Sequence, residues 1–438
     1  MTPARESVSV SDVAKRTRRR INRRLLPFLF LLYIIAFLDR INISFAGLDM
    51  TRELGFSDRV FGLGSGIFFI GYVLLEIPGT LLVELWSARK WIARIMISWG
   101  LVGSFTGLIH TAHQFYWARF ILGVAEAGFF PGVVVYLTHW YREQDRARAM
   151  AMFMSAIPIA QVIGAPISGA LLRIHWLGTP GWRWLLILEG VPAVIAGFVA
   201  LFYLTDRPRD ARWLGDDERA WIIGELDREA RAKSGQRVSI WRACWHMLQD
   251  RDVIVLTSVY FLGACAQYGF TFWLPKLIQK MSGFSSYKVA LIAALPFLAS
   301  WPAMLLLSWN SDRTGERRWH TAAAYVTLAA GLAGSVWAGD RVALGILMFS
   351  LAGIGISARL PAFWALPASL LGGATAAASI GAINCIGNLG GFVGPYLLGA
   401  LSTAAGSYST GIWYLSGASV LAAALILLVR KKPQQGSS

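Results

Sequence analysis

Twelve stretches of this chain are each long and apolar enough to cross a lipid bilayer as a helix, and no other feature narrows the possible folds so far. Their expected spans are 25–50, 60–83, 91–110, 115–139, 149–173, 183–205, 252–279, 287–310, 320–338, 342–368, 376–402 and 409–429. Hydrophobic residues make up 55% of the 438 and charged residues 15%, too little polar surface to coat a soluble globule of this size. Backbone in lipid must satisfy its own hydrogen bonds, so runs of this length imply an all-α membrane protein. Six spans precede a polar stretch and six follow it. The expected organisation is a basic tail (1–24), a six-helix bundle (25–205), a linker with an amphipathic helix (206–251), a second six-helix bundle (252–429) and a short tail (430–438).

The net charge of +16 raises nucleic acid as a partner, but its distribution gives another reason. With an even number of spans both termini share a side, and most of the 41 basic residues fall in segments on that side. This is the positive-inside pattern of a cell-membrane protein with cytoplasmic termini. The run "KRTRRRINRR" (15–24) abuts the first span and reads as a stop facing anionic lipid at the inner leaflet. No nucleic-acid partner is expected. The polar first 24 residues show no cleavable signal. Cys244, Cys265 and Cys385 lack ligand spacing, and His110 and His113 lack an acidic or cysteine partner, so neither metal nor disulfide is expected. In the linker, "LGDDERAWIIGELDREARAKSG" forms a short helix with a modest apolar stripe at Trp221, Ile222 and Leu226, read as a solvated tether near the membrane surface.

Polar residues recur at one depth. Counting to the middle of each span places Asp39, Tyr72, Glu126, Gln161, Gln267 with Tyr268, and Asn388 within two or three residues of their midpoints, a slab roughly 10 Å thick. A charge at that depth costs at least about 2.5–3.5 kcal/mol unless paired or wetted, so groups at one level are expected to satisfy one another around a central site. Arg119 and Glu126 lie seven residues apart on one helix face, about 10.5 Å along the axis, too far for an easy bridge. Arg119 is thus free to reach the first span or a bound anion.

Several strings carry a family resemblance. "SDRTGERR" (311–318) is similar to the Asp-Arg-x-Gly-Arg-Arg loop signature of the major facilitator superfamily; its counterpart near "VELWSARKWIAR" (83–94) is degraded, with Glu84 and "SARK" replacing the core. "FLDRINISFA" (37–46), "GIFFIGYVLLEIPG" (66–79), "ARFILGVAEAGFFPG" (118–132), "GWRWLLILEG" (181–190) and "FWALP" with "INCIGNLGGFVGPYLLG" (363–399) resemble the anion:cation symporter family. Within it the likeness is to the bacterial tartrate, phthalate and hydroxyphenylacetate permeases. The resemblance implies the major facilitator fold, a monomer, and proton-coupled import of a small organic anion with protons as coupling ion and no other cofactor. It assigns Asp39 and Glu126 to the proton and Arg40 and Arg119 to charge balance and substrate. Tyr72, Gln161, Tyr268, Trp364, Asn384 and Asn388 complete the polar contacts, and Asp312, Arg313 and Arg317 belong to the gating loop.

Departures from the family carry information too. Phe37 stands where many relatives have Tyr. Arg359, in "GISARLPAFWALP", occupies a usually neutral position. It either faces the cavity as a cation opposite Arg40 and Arg119, suited to the second carboxylate of a substrate, or bonds backbone carbonyls freed by Pro361. Glu76, next to Pro78, reads as a structural or gating hydrogen bond, and Glu189 as a cap for local Trp or backbone donors. Small residues at helical spacing in "IGAPISGALL" and "LGGFVGPYLLGAL" suit helices that approach and slide. The alternatives to symport are an anion exchanger or uniporter using the same site, and, from another class, a membrane receptor or enzyme. No nucleotide loop or metal cluster supports the latter.

Overall fold

A computed structural model describes residues 3–233, 250–370 and 373–430. Cys244 and the rest of 234–249, the tail from 431, and the side chain of Glu84 lie outside the described residues. The first half comprises α1 (Pro3–Glu53), α2 (Asp58–Leu85), α3 (Ala88–Thr106), α4 (Ala112–Glu126), α5 (Phe129–Thr138), α6 (Glu143–Met154), α7 (Ala156–Leu172) and α8 (Gly181–Tyr203). The linker contributes α9 (Asp216–Lys233). The second half comprises α10 (Arg251–Ser282), α11 (Ser286–Ala293), α12 (Leu295–Thr314), α13 (Arg318–Ala338), α14 (Val342–Leu370), α15 (Gly373–Asn388), α16 (Gly390–Ala405) and α17 (Tyr408–Leu427).

Among the described residues, eleven helices are long and apolar enough to span a membrane. The expected third span is α3, whose first two turns carry Arg89, Lys90 and Arg94 and dilute its hydropathy. Its packing against α8 completes the first six-helix bundle.

Four spans are broken near their middles. The fourth breaks between α4 and α5, where Gly128 takes φ 85°, a left-handed conformation open to a residue without Cβ. Pro158 and Pro296 lie three and two residues past the breaks at Ser155 and Ala294, where their missing N–H groups interrupt the helical ladder. The eleventh breaks at Leu389, before Gly390 and Gly391. Helices approach closely at glycines: a Cβ on Gly123 would lie 1.9 Å from the Phe68 carbonyl oxygen of α2.

The small residues of the fifth and eleventh spans sit where the bundles meet. A Cβ on Gly169 of α7 would lie 2.9 Å from the Ala290 Cβ of α11, and one on Gly399 of α16 would lie 2.4 Å from the Asp58 carbonyl of α2. Further ties gather at the end opposite the termini. Lys276 Nζ lies 3.1 Å from Asp58 Oδ1, Ser286 Oγ donates to Asp49 Oδ1 at 3.0 Å, and the Arg59 N–H donates to Thr403 Oγ1 at 3.0 Å. Deeper in, Phe69 packs on Tyr268 with ring centroids 4.4 Å apart.

At the terminal end each half braces its own loops. Ser87 Oγ and the Arg89 N–H both donate to Asp206, each within 2.9 Å, so the degraded first signature is pinned by a carboxylate at the end of the sixth span. In the second half Arg317 pairs with Asp312 at 2.6 Å, Arg313 lies over the Trp309 ring, and Arg318 donates to the Val429 carbonyl at 2.7 Å.

The linker differs from the solvated tether read in the sequence. Helix α9 lies against the first bundle, its acids meeting the basic run of α1 and the loop before α6. Glu218 pairs with Arg20 at 2.7 Å and Arg16 at 3.0 Å, Glu225 with Arg142 at 2.9 Å, and Asp217 also takes Arg16. Part of "KRTRRRINRR" therefore meets protein rather than lipid. The tether looked solvated and the basic run lipid-facing because their partners lie about two hundred residues apart in the chain. Burial pushes the Glu218 carboxyl up, but the Gly215 N–H and the Arg20 and Arg16 guanidinium groups outweigh it and hold it below its ordinary value.

A carboxyl held low contributes stability that is present above its unfolded value, about 4.3, and lost as pH falls through the lower folded value. Docking of α9 is therefore expected to persist at pH 5 and weaken below about 4. Glu218→Ala should speed amide exchange across 216–233 at neutral pH. Exchange unchanged in that variant would show that packing alone holds the helix.

Candidate functional site at mid-depth

Asp39 and Arg40 are neighbours on α1 and so point in different directions, about 100° apart around the helix. The Asp39 carboxylate turns into the first bundle. It accepts from Asn42 Nδ2 at 2.9 Å and lies against α3, where a Cβ on Gly103 would stand 3.0 Å from Oδ2. Arg40 turns the other way and donates through Nη2 to Glu126 Oε1 on α4. Its guanidinium carbon lies 5.3 Å from the Phe37 ring centroid, 5.6 Å from Phe68 and 5.5 Å from Tyr72. The Phe37 that replaces a family tyrosine thus serves as a face for the cation.

Arg119, one per cent exposed, lies over Phe68 at 5.0 Å. Its Nε and Nη2 have no hydrogen-bond partner among the described residues. Asp39 and Glu126 are the acids near it. Two guanidinium groups and two carboxylates therefore share the centre of the first bundle, and both cations keep a buried donor without an acceptor among the described residues, Nε of Arg40 and Nε and Nη2 of Arg119.

The second bundle faces this group with different chemistry. Arg359 is fully buried; its Nη1 donates to Tyr325 Oη at 3.3 Å, and its Nη2 to the Gly263 carbonyl at 3.4 Å and to Gln267 Oε1. The acceptors lie on α10 and α13, not on the carbonyls near Pro361 in its own helix. None is a carboxylate. The amide of Gln267 is oriented by this contact, since its oxygen is turned to the guanidinium.

Tyr72, Gln161 and Asn388 are buried, while Arg40, Gln267, Tyr268, Trp364 and Asn384 keep partial exposure. Trp364 packs edge-on to Tyr260 at 4.9 Å. Asn384 Nδ2 donates to Glu76 Oε1 at 2.6 Å, so this carboxylate joins α2 to α15 across the bundles. Asp312, Arg313 and Arg317 stand apart from this group, in the loop at the terminal end.

One acid has partners other than those read for it in the sequence. Glu189 of α8 does not cap tryptophan or backbone donors; its Oε1 accepts from Ser168 Oγ on α7 at 2.8 Å, beside Asn42 and Asp39. The signal was present, since a carboxylate two turns inside an apolar span needs a partner from another helix.

Two six-helix bundles that enclose opposed charges at mid-depth make this a multi-pass membrane transporter rather than an enzyme. The chain belongs to the Major Facilitator Superfamily, whose model matches residues 29–395. A putative tartrate transporter of Agrobacterium vitis is 45% identical over 428 residues, covering 97% of this chain and 98% of that protein. The inner membrane transport protein RhmT of Escherichia coli (strain K12) is 35% identical over 409 residues, 93% of this chain and 94% of that one. The crystal structure of a bacterial homologue of the human lysosomal transporter Spinster, inward-facing and occupied, matches in fold with a TM-score of 0.76 at 17% identity, covering 93% of this chain and 98% of that one.

Because Arg40 and Glu126 are desolvated together, removing one leaves the other uncompensated. Arg40→Ala is expected to cost about 3–5 kcal/mol, and Arg40→Met with Glu126→Met to recover most of it. Thermal unfolding in detergent checks this; a double variant no more stable than the single one would mean that the pair is not the coupling.

Proposed function

We propose that the protein imports a small organic anion with one or more protons by alternating access. The observation that carries this reading is the pair of guanidinium groups, Arg40 and the buried Arg119, which keep donors without acceptors among the described residues, Nε of Arg40 and Nε and Nη2 of Arg119. Buried donors of this kind are ordinarily satisfied, and a planar fork suits a carboxylate. The name of the Agrobacterium relative supports tartrate-like dicarboxylates as the substrate class.

Coupling follows from competition for Arg40. A substrate carboxylate that takes the guanidinium displaces Glu126, and a carboxylate deprived of its counter-charge in a buried site is neutralised by a proton. Proton and anion then favour each other's binding, and the same free energy acts in both directions. Asp39 carries the second proton site, with Arg119 between the two acids. Tyr72, Gln161, Tyr268, Trp364, Asn384 and Asn388 supply hydroxyl, amide and ring contacts. The second carboxylate meets the opposite bundle, where Arg359 supplies a cation without a paired acid and Gln267 presents its amide.

In this scheme both termini face the cytoplasm of a bacterial inner membrane, the basic segments stay on that side, and a monomer suffices. The ties at the end opposite the termini close the outer side, and the segment holding Asp312, Arg313 and Arg317 gates the inner one.

Reconstituted protein tests the scheme with L-tartrate. Asp39→Asn and Glu126→Gln are expected to abolish uptake driven by a pH gradient while retaining counterflow; gradient-driven uptake that survives both changes would overturn the proton assignment. Arg359→Ala is expected to weaken tartrate about tenfold or more and a matched monocarboxylate far less, the loss of one charged hydrogen-bonded contact being about 1.5–3 kcal/mol. Equal losses for both, or no loss, would remove Arg359 from substrate binding.

A further inference from the structure

The Asp39 carboxylate faces α3 inside the first bundle, about 100° around α1 from Arg40, with Arg119 and Glu126 of α4 also near it. A further acid lies inside the same bundle. Glu189, six per cent exposed, accepts one hydrogen bond from Ser168 Oγ at 2.8 Å. Its Oε2 is buried without a hydrogen-bond partner among the described residues, although the Asn42 side chain lies beside the carboxyl. No basic side chain pairs with Glu189 among the described residues. The groups that face it are Asp39 and Asn42 from α1 and Ser168 from α7, with Ser104 of α3 against the neighbouring Gly190. The groups that face Asp39 are Asn42 on its own helix, Trp99 and Gly103 on α3, Arg119 and Glu126 on α4, and Glu189 on α8.

Asn42 is the link. Its amide donates to Asp39 Oδ1 at 2.9 Å and reaches the Glu189 carboxyl from the same side chain. Two acids arranged around one amide need not both be ionised, and an oxygen with no donor is where a proton can sit.

A hollow of about 860 Å³ opens at the end opposite the termini, where the bundles meet; Glu53, Leu172 and Gly181 line it from the first half and Ser285, Ser286 and Tyr287 from the second. Leu172 is one turn beyond Ser168 on α7, and Gly181 begins the helix that carries Glu189, roughly 12 Å further in. At the rim Glu53 accepts from Trp182 Nε1 at 2.6 Å and from Arg183 Nη2 at 3.2 Å.

We propose that Glu189 is the acid that receives protons from the outer side and passes them to Asp39 through the interior of the N-terminal bundle. A proton from the outer medium binds Glu189; its transfer leaves Glu189 anionic and Asp39 neutral, Asn42 holds the two carboxyl groups in register, and Glu189 is reprotonated from the hollow. The inference rests on the proton-coupled reading above and adds to it a receiving group and a direction of access.

Two measurements test it. In proteoliposomes with L-tartrate, Glu189→Gln is expected to lower pH-gradient-driven uptake about tenfold or more, a modest share of what a positioned proton-transfer group supplies. Counterflow should remain within about twofold, and Glu189→Asp, which keeps an acid, should restore part of the drive. In infrared difference spectra across a pH titration in lipid nanodiscs, without substrate, the carbonyl band of a protonated carboxyl is expected to be lost in Glu189→Gln and to shift in Asn42→Ala. Gradient-driven uptake in Glu189→Gln equal to wild type, or no carbonyl band assignable to Glu189, would overturn the route alone. Equal loss of drive and counterflow in both Gln and Asp variants would make Glu189 a packing group and also overturn it. Wild-type counterflow without any response to a pH gradient would overturn the symport reading and the route together.

Discussion

A guanidinium and a carboxylate inside helices surrounded by hydrocarbon cannot both stay unpaired, and the contact between Arg40 on α1 and Glu126 on α4 is the constraint from which the site is organised. It fixes which face of α1 looks toward the other bundle. With Arg40 on that face, Asp39 is turned toward α3, and the pair that reads as one unit in "FLDRINISFA" divides into two environments. Phe37, Phe68 and Tyr72 close around the guanidinium, so the cation is held by an ion pair and ring faces together.

The bundles meet through close helix approaches, aromatic pairs and polar ties together. Gly169 of α7 meets the Ala290 Cβ and Gly399 of α16 the Asp58 carbonyl, Phe69 packs on Tyr268 and Phe61 on Trp273, and single ties such as Asp58 with Lys276 and Glu76 with Asn384 cross the boundary. Within each bundle the packing is tighter, as Gly123 against the Phe68 carbonyl illustrates.

Much of this was legible beforehand, and for a physical reason. Bilayer thickness sets a length, so each of the twelve apolar runs corresponds to a helix or to a helix broken at Pro or Gly. The cost of a charge in hydrocarbon makes Asp39, Arg40, Arg119 and Glu126 conspicuous. The acceptors of Arg359 lie on α10 and α13, and the helix periodicity around Pro361 contains no information about those neighbours. Two readings went differently. Glu189 was assigned to nearby donors, yet its partners come from α1 and α7. The linker helix looked solvated because its acids and the basic run of α1 balance only once the chain has folded back.

The amino-acid sequence alone determined the fold class, the positions of the spans and the depth of the polar groups, because length, hydropathy and 1.5 Å rise per residue act along a single helix. Tertiary structure alone decided the azimuth and the partners: that Asp39 and Arg40 part company, that Asn42 stands between two acids, and that Arg359 is held inside the second bundle. Those facts depend on how neighbouring helices are rotated and how closely they pack. Rotation is settled by contacts between residues far apart in the chain, which no local pattern encodes.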